Sequence, residues 1–179
     1  MTTVDKPQRE HWTEVVAESK NKLSYVRPIQ GHLYATYGVN AATQISVLDM
    51  QGQLLHEIPL PSVGSAGVSG LRHKGDVRVS FSSFANPSTT YTYDVSTNSL
   101  TLAKASPLDI DTTGMMSEQV WYTSKDGTKV SMFVVRNTDA PRDGTVPTLL
   151  TGYGGFNISM RPRFSTLYAA WLEAGGAIA

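Results

Sequence analysis

Two stretches of the chain repeat one another. The run beginning at Leu33, LYATYGVNAATQISVLDMQGQLL, aligns with the run beginning at Val77, VRVSFSSFANPSTTYTYDVSTNSLTL, at an offset of about 44 residues. Each reads as strand, loop, strand, Asp-containing turn, strand. A β unit recurring at this period fits two architectures. One is the blade of a β-propeller, whose four-stranded sheets repeat at about this spacing; the other is an antiparallel sandwich built from similar hairpins.

The strands behind the repeat are legible one by one. Residues 33–39 (LYATYGV), 44–50 (QISVLDM), 54–60 (LLHEIPL), 77–83 (VRVSFSS), 89–95 (TTYTYDV) and 99–105 (SLTLAKA) are rich in β-branched and aromatic side chains. Gly, Pro, Asn and Ser bound them, as turn chemistry requires. Residues 61–70 read as a Gly- and Ser-rich loop. No helical period runs through this region.

The pattern changes after Asp109. Residues 109–118 (DIDTTGMMSE) form a polar connector, and 119–123 (QVWYT) and 129–136 (KVSMFVVR) read as strands. The pair Asp126-Gly127 between them marks a hairpin, because glycine takes a positive φ at little cost. Residues 147–151 (PTLLT) look like a short buried strand that enters the glycine-rich run Gly152-Tyr153-Gly154-Gly155-Phe156. Apolar residues at 164, 167, 168, 171 and 172 have helical spacing. Gly175-Gly176 would cap that helix before a further apolar run at 177–179. Strand, glycine-rich turn, helix, glycine, strand is the opening of a parallel α/β sheet. A chain that stops inside its next strand is expected to be a piece of a larger protein.

Charge and composition exclude several function classes. Fifteen basic and fifteen acidic residues leave a formal net charge of zero. There is no basic stripe for nucleic acid and no run of like charge for an interaction tail. The chain has no cysteine, which excludes disulfides, thiolate metal sites and a Cys nucleophile. The polar start MTTVDKPQREHW lacks the apolar core of a signal peptide. No stretch approaches the roughly 20 apolar residues of a membrane span. A soluble cytoplasmic protein is the expectation, and the same composition suits the periplasm.

The residues that could carry chemistry are few. Tyr153 sits among three glycines after the end of a strand, where α/β folds place ligands. It either presents its hydroxyl to a substrate or caps the sheet, with Phe156, as a core residue. Neither GxGxxG nor GxxxxGK[ST] fits this loop, so it is no phosphate cradle. His11, His32, His56 and His73 have no metal-ligand spacing and read as surface or strand-end residues. Asp126 and Asp143 read as turn residues. No serine stands in a GxSxG turn; Gly64-Ser65-Ala66-Gly67 lacks the second spacer.

Taken together, QVWYTSKDGTKVSMF at 119–133 and PTLLTGYGGFNIS at 147–159 strongly resemble the prolyl oligopeptidase family. Trp12-Thr13-Glu14-Val15-Val16, SVLDMQG at 46–52 and Phe81-Ser82-Ser83-Phe84 resemble that family's last blades. WLEAGGAIA at 171–179 resembles the helix and strand that follow its first hydrolase strands.

The resemblance implies a fold and a chemistry. Residues 1–110 would be the last blades of a seven-bladed β-propeller, and 111–179 the start of an α/β-hydrolase domain. The parent protein would be a monomeric serine peptidase that cleaves short proline-containing peptides on the carboxyl side of proline, without metal or organic cofactor. Tyr153 matches the tyrosine that completes the oxyanion hole, and Phe156 an aromatic that lines the proline subsite. The family usually has a second tyrosine where this chain has Thr151. Its Ser, Asp and His come after the position of Ala179, so the chain alone is expected to be inactive. Two other readings compete: a noncatalytic β-rich binding module, and a related oligopeptidase that removes acylated residues or cleaves after basic ones.

Overall fold

The computed structural model describes residues 1–156 and 158–179. Twelve strands among them form three four-stranded sheets. The first sheet is an antiparallel meander of β1 (Lys22–Ile29), β2 (His32–Val39), β3 (Ala42–Leu48) and β4 (Leu54–Glu57). The second repeats that order with β5 (Ser65–Ser69), β6 (Val77–Ser82), β7 (Thr89–Asp94) and β8 (Ser99–Lys104). The internal repeat is thus a four-stranded unit used twice, and its strands β2, β3 and β4 correspond to β6, β7 and β8.

The sequence expectation missed the first strand of each unit. β1 contains Pro28 and two charged residues, Lys22 and Arg27, and β5 is the stretch SAGVS that reads as a loop. Neither has strong strand propensity. Both become strands because a neighbour offers a full ladder: Pro28 lies opposite Leu33, and Gly67 opposite Ser80.

Alternation along the strands builds the core. Successive side chains point to opposite faces. In the first sheet, Tyr34, Ile45 and Val47 face the second sheet and pack there with Val68, Val77, Val79 and Tyr93. Leu33, Ala35 and Leu48 face the other way and pack against Val15 and Val16 of the N-terminal segment. The first sheet is therefore covered on both faces, and the second strictly alternates in β6: Val77, Val79 and Phe81 are buried while Arg78 and Ser80 are exposed.

The third sheet has the order β11-β12-β10-β9 and a different construction. β9 (Met115–Thr123) and β10 (Lys129–Asn137) form the expected hairpin, with Gly127 at a φ of 87° in its turn. β9 starts four residues before the sequence expectation, because Met115 and Met116 find partners in Asn137 and Arg136. β11 (Thr148–Leu149) runs parallel to β12 (Ala177–Ile178), and helix α1 (Thr166–Glu173) lies on the connection between them. The helix ends as predicted. Gly175 takes a φ of 85°, the Gly175 N–H donates to Leu172, and the Gly176 N–H donates to Trp171.

The expectation of a buried strand at 147–151 is corrected. Only Thr148 and Leu149 are strand, and Leu150 is 74% exposed. β11 is the edge strand of this sheet, and both of its residues are exposed.

Candidate functional site

The glycine-rich loop starts where the β11 ladder ends. The Thr151 N–H donates to the Ala179 carbonyl at 2.8 Å, which carries the pairing one step beyond the strand. Tyr153 follows two residues later, past the carboxyl ends of the parallel pair β11 and β12, the usual ligand position of an α/β sheet. Tyr153 is half-exposed and its ring folds back along its own loop. A Cβ on Gly155 would lie 2.9 Å from the Tyr153 hydroxyl and 3.1 Å from Cζ. A side chain at residue 155 would displace the phenol from this position.

Phe156 differs. It adopts a φ of 53° and is 92% exposed. A positive φ is uncommon for a bulky residue and turns its side chain away from the direction a continuing strand would give. The structure does not bring Phe156 into the cavity that Tyr153 lines.

That cavity, about 1600 Å³, lies between the second sheet and the third. Ser80 and Ser82 of β6 form part of one wall, and Tyr122, Tyr153, Arg161 and Arg163 contribute to the other. Three contacts hold the walls in place. The Phe164 N–H donates to Ser82 Oγ at 3.2 Å. The rings of Phe84 and Phe133 pack at 5.4 Å between centroids. Gln119 Nε2 donates to the Asn40 carbonyl in the β2–β3 turn at 2.8 Å. Each joins residues far apart in sequence, so no local pattern predicts them. Arg161 and Arg163 were missed for the same reason: only the fold turns the segment after the glycine-rich loop toward the second sheet.

The acidic residues read as turn formers take that place. Asp126 Oδ1 accepts the Thr128 N–H at 3.0 Å, and Asp143 Oδ1 accepts both the Thr145 N–H and its hydroxyl. These hydrogen bonds hold both carboxyls below the usual carboxylate range, the side-chain bond from Thr145 leading for Asp143 and the backbone bond from Thr128 for Asp126. His11, His32, His56 and His73 are dispersed over the N-terminal turn, β2, β4 and the β5–β6 loop. Tyr34, by contrast, is fully buried between the two propeller-like sheets, edge-on to Tyr93 at 6.3 Å. Burial, reinforced by Tyr93, pushes its hydroxyl up to about 12.

Residues 1–106 match the family model described as prolyl oligopeptidase, N-terminal beta-propeller domain. The prolyl endopeptidase of Elizabethkingia meningoseptica is 37% identical over 176 residues, 98% of this chain and 25% of that protein. The prolyl oligopeptidase ophP of Omphalotus olearius is 40% identical over 161 residues, 86% of this chain and 21% of that protein. Among solved structures, a prolyl endopeptidase studied for inter-domain dynamics in catalysis and specificity superposes with a TM-score of 0.88 at 38% identity, covering 99% of this chain and 26% of its own. Prolyl oligopeptidase B of Galerina marginata, bound to a 25mer macrocyclization substrate, gives 0.83 at 30% identity, with coverages of 92% and 24%. The chain thus spans about a quarter of the length of the first of these curated relatives. The four-stranded repeat is a pair of propeller blades rather than a sandwich, and the chain belongs to the prolyl oligopeptidase family.

Proposed function

We propose that this chain is the junction of a serine peptidase that cleaves short peptides on the carboxyl side of proline. In this reading, residues 1–110 are the last propeller blades and 111–179 open the α/β-hydrolase domain. The observation that carries it is the placement of Tyr153: a hydroxyl on a glycine-rich loop, beyond parallel strand ends, lining a cavity against a propeller blade. The nucleophile, acid and base would come from residues outside these 179, as would the backbone oxyanion donor. The enzyme acts as a monomer.

Tyr153 donates its O–H to the oxygen of the tetrahedral intermediate. A carbonyl oxygen gains charge only as the serine attacks, so a donor aimed at that position stabilises the transition state more than the bound peptide. Phe156 offers an exposed apolar ring to a pyrrolidine, which has no N–H to satisfy. Phe156 does not line the cavity, so this contact forms only when substrate reaches the loop.

Tyr153→Phe tests the assignment in the full-length enzyme that carries this segment. The ring stays and the donor goes. The expected result is a fall in kcat of about 10²–10³ with little change in KM. An unchanged kcat, or a defect confined to KM, would return Tyr153 to a packing role. The 179-residue chain alone is expected to give no turnover of a Gly-Pro fluorogenic peptide; turnover abolished by a serine-directed phosphonate would contradict this.

A further inference from the structure

The cavity between the second and third sheets is electrostatically one-sided. Among the described residues that line it, Arg161 and Arg163 are the only ones charged at neutral pH, and there is no Asp or Glu. Neither guanidinium forms an ion pair with any described residue; the arginines that do are Arg78, Arg136 and Arg142. The whole chain carries equal numbers of acidic and basic residues, so this lining departs from the average surface.

The backbone that carries the two arginines is held. Pro162 between them is fully buried, and the next residue after Arg163, Phe164, is hydrogen-bonded through its N–H to Ser82. Arg161 reaches across to the first blade, its Nη2 lying 3.8 Å from where a Cβ on Gly38 would stand. Two cations thus line the same wall of the cavity as Tyr153, on the same connection that carries it. Both side chains are exposed, so their attraction for an anion is felt at low ionic strength and screened by salt.

We infer that Arg161 and Arg163 form a carboxylate-binding subsite that favours peptides bearing negative charge, either a free C-terminus or an acidic side chain. The subsite rests on the peptidase reading, since a peptide must enter the cavity. Guanidinium is suited to it because its planar donors match the two oxygens of a carboxylate. Neither group takes part in the chemical step; they position the substrate and select it.

The test uses the full-length enzyme and two matched peptide pairs cleaved after the same proline. One pair differs only as Asp against Asn, the other only as a C-terminal acid against its amide. The wild-type enzyme is expected to favour one charged member by about three- to tenfold in kcat/KM at low ionic strength, with the preference fading as salt is added. The pair that shows it identifies the source of the carboxylate. In Arg161→Gln/Arg163→Gln the ratio falls to about one, while Arg161→Lys/Arg163→Lys retains part of it. Wild-type ratios near one in both pairs, or a preference that survives the glutamine substitutions, would overturn the subsite. Cleavage of none of the four peptides would overturn the peptidase reading instead.

Discussion

At the residue scale, the glycines and tyrosines of this chain show how little space separates a working geometry from a blocked one. Gly155 gives room to the Tyr153 ring, and a methyl there would press on the hydroxyl from 2.9 Å. Gly155→Ala in the full-length enzyme is expected to lower kcat by about tenfold or more, because a donor displaced by a fraction of an ångström no longer meets the oxyanion. Steady-state kinetics check it, and an unchanged kcat would mean that the ring rests elsewhere during catalysis. Tyr34 makes a prediction of a different kind. Its folded pKa is raised from 10 to about 12, chiefly by burial. The neutral phenol is the form the fold stabilises, so its contribution is complete below pH 10. It is lost as pH rises, first as the unfolded chain ionises and finally as the folded phenol ionises near 12. Ultraviolet difference titration of the chain against Tyr34→Phe is expected to assign the most alkaline tyrosine to Tyr34. A Tyr34 titrating near the ordinary value would show that water reaches the inter-blade core.

At the element scale, backbone geometry at two glycines decides whether segments close. Gly52 takes a φ of 90°, and a Cβ there would lie 1.9 Å from the Val15 carbonyl oxygen. That close approach seats the N-terminal segment on the outer face of the first blade, where Val15 and Val16 cover Leu33, Ala35 and Leu48. Gly52→Ala is expected to cost about 2–3 kcal/mol from backbone strain and overpacking together. Limited proteolysis reads it: the N-terminal segment becomes cleavable well before the blades. Equal protection in the variant would show that the segment can shift without loss. Gly175, at the C′ position of α1, carries the helix end. Gly175→Ala forces a Cβ into the left-handed region and is expected to lower stability by about 1–2 kcal/mol, whereas Gly175→Asn costs less. Thermal melts of the three full-length proteins decide this, and equal melting temperatures would rule out the cap as a source of stability.

At the scale of the whole molecule, the exposed surface is unevenly apolar. Leu149, Leu150, Leu167 and Trp171 are all exposed around β11 and α1, as are Trp121 and Tyr122 at the end of β9. Sheet edges are open as well, at β4, β8 and β11. Unpaired edges and exposed apolar side chains recruit other chains. The 179-residue chain on its own is expected to elute from size-exclusion chromatography as a broad, concentration-dependent distribution. A sharp monomer peak with a cooperative thermal transition would contradict this.

What could be read from the sequence was whatever local chemistry or period encodes. The repeat announced a recurring β unit, three of its four strands legible, because each copy carries the same alternation and the same Asp turn. Asp126-Gly127 announced a hairpin, and Gly175-Gly176 a helix end, because only certain residues tolerate a positive φ. The glycine-rich run drew attention to Tyr153 because glycine lets a ligand approach the backbone closely. The tertiary structure alone decided the rest. β1 and β5 became strands because their neighbours offered hydrogen bonds that their own propensities did not favour. Residues 147–151 looked buried but lie at a sheet edge, since burial depends on what covers a strand. Phe156 shares a loop with Tyr153 yet stands outside its cavity, because one left-handed residue redirects the side chain. Arg161 and Arg163 entered the cavity through a fold that brings residue 164 against residue 82, and contacts between positions so far apart leave no periodic trace in the chain.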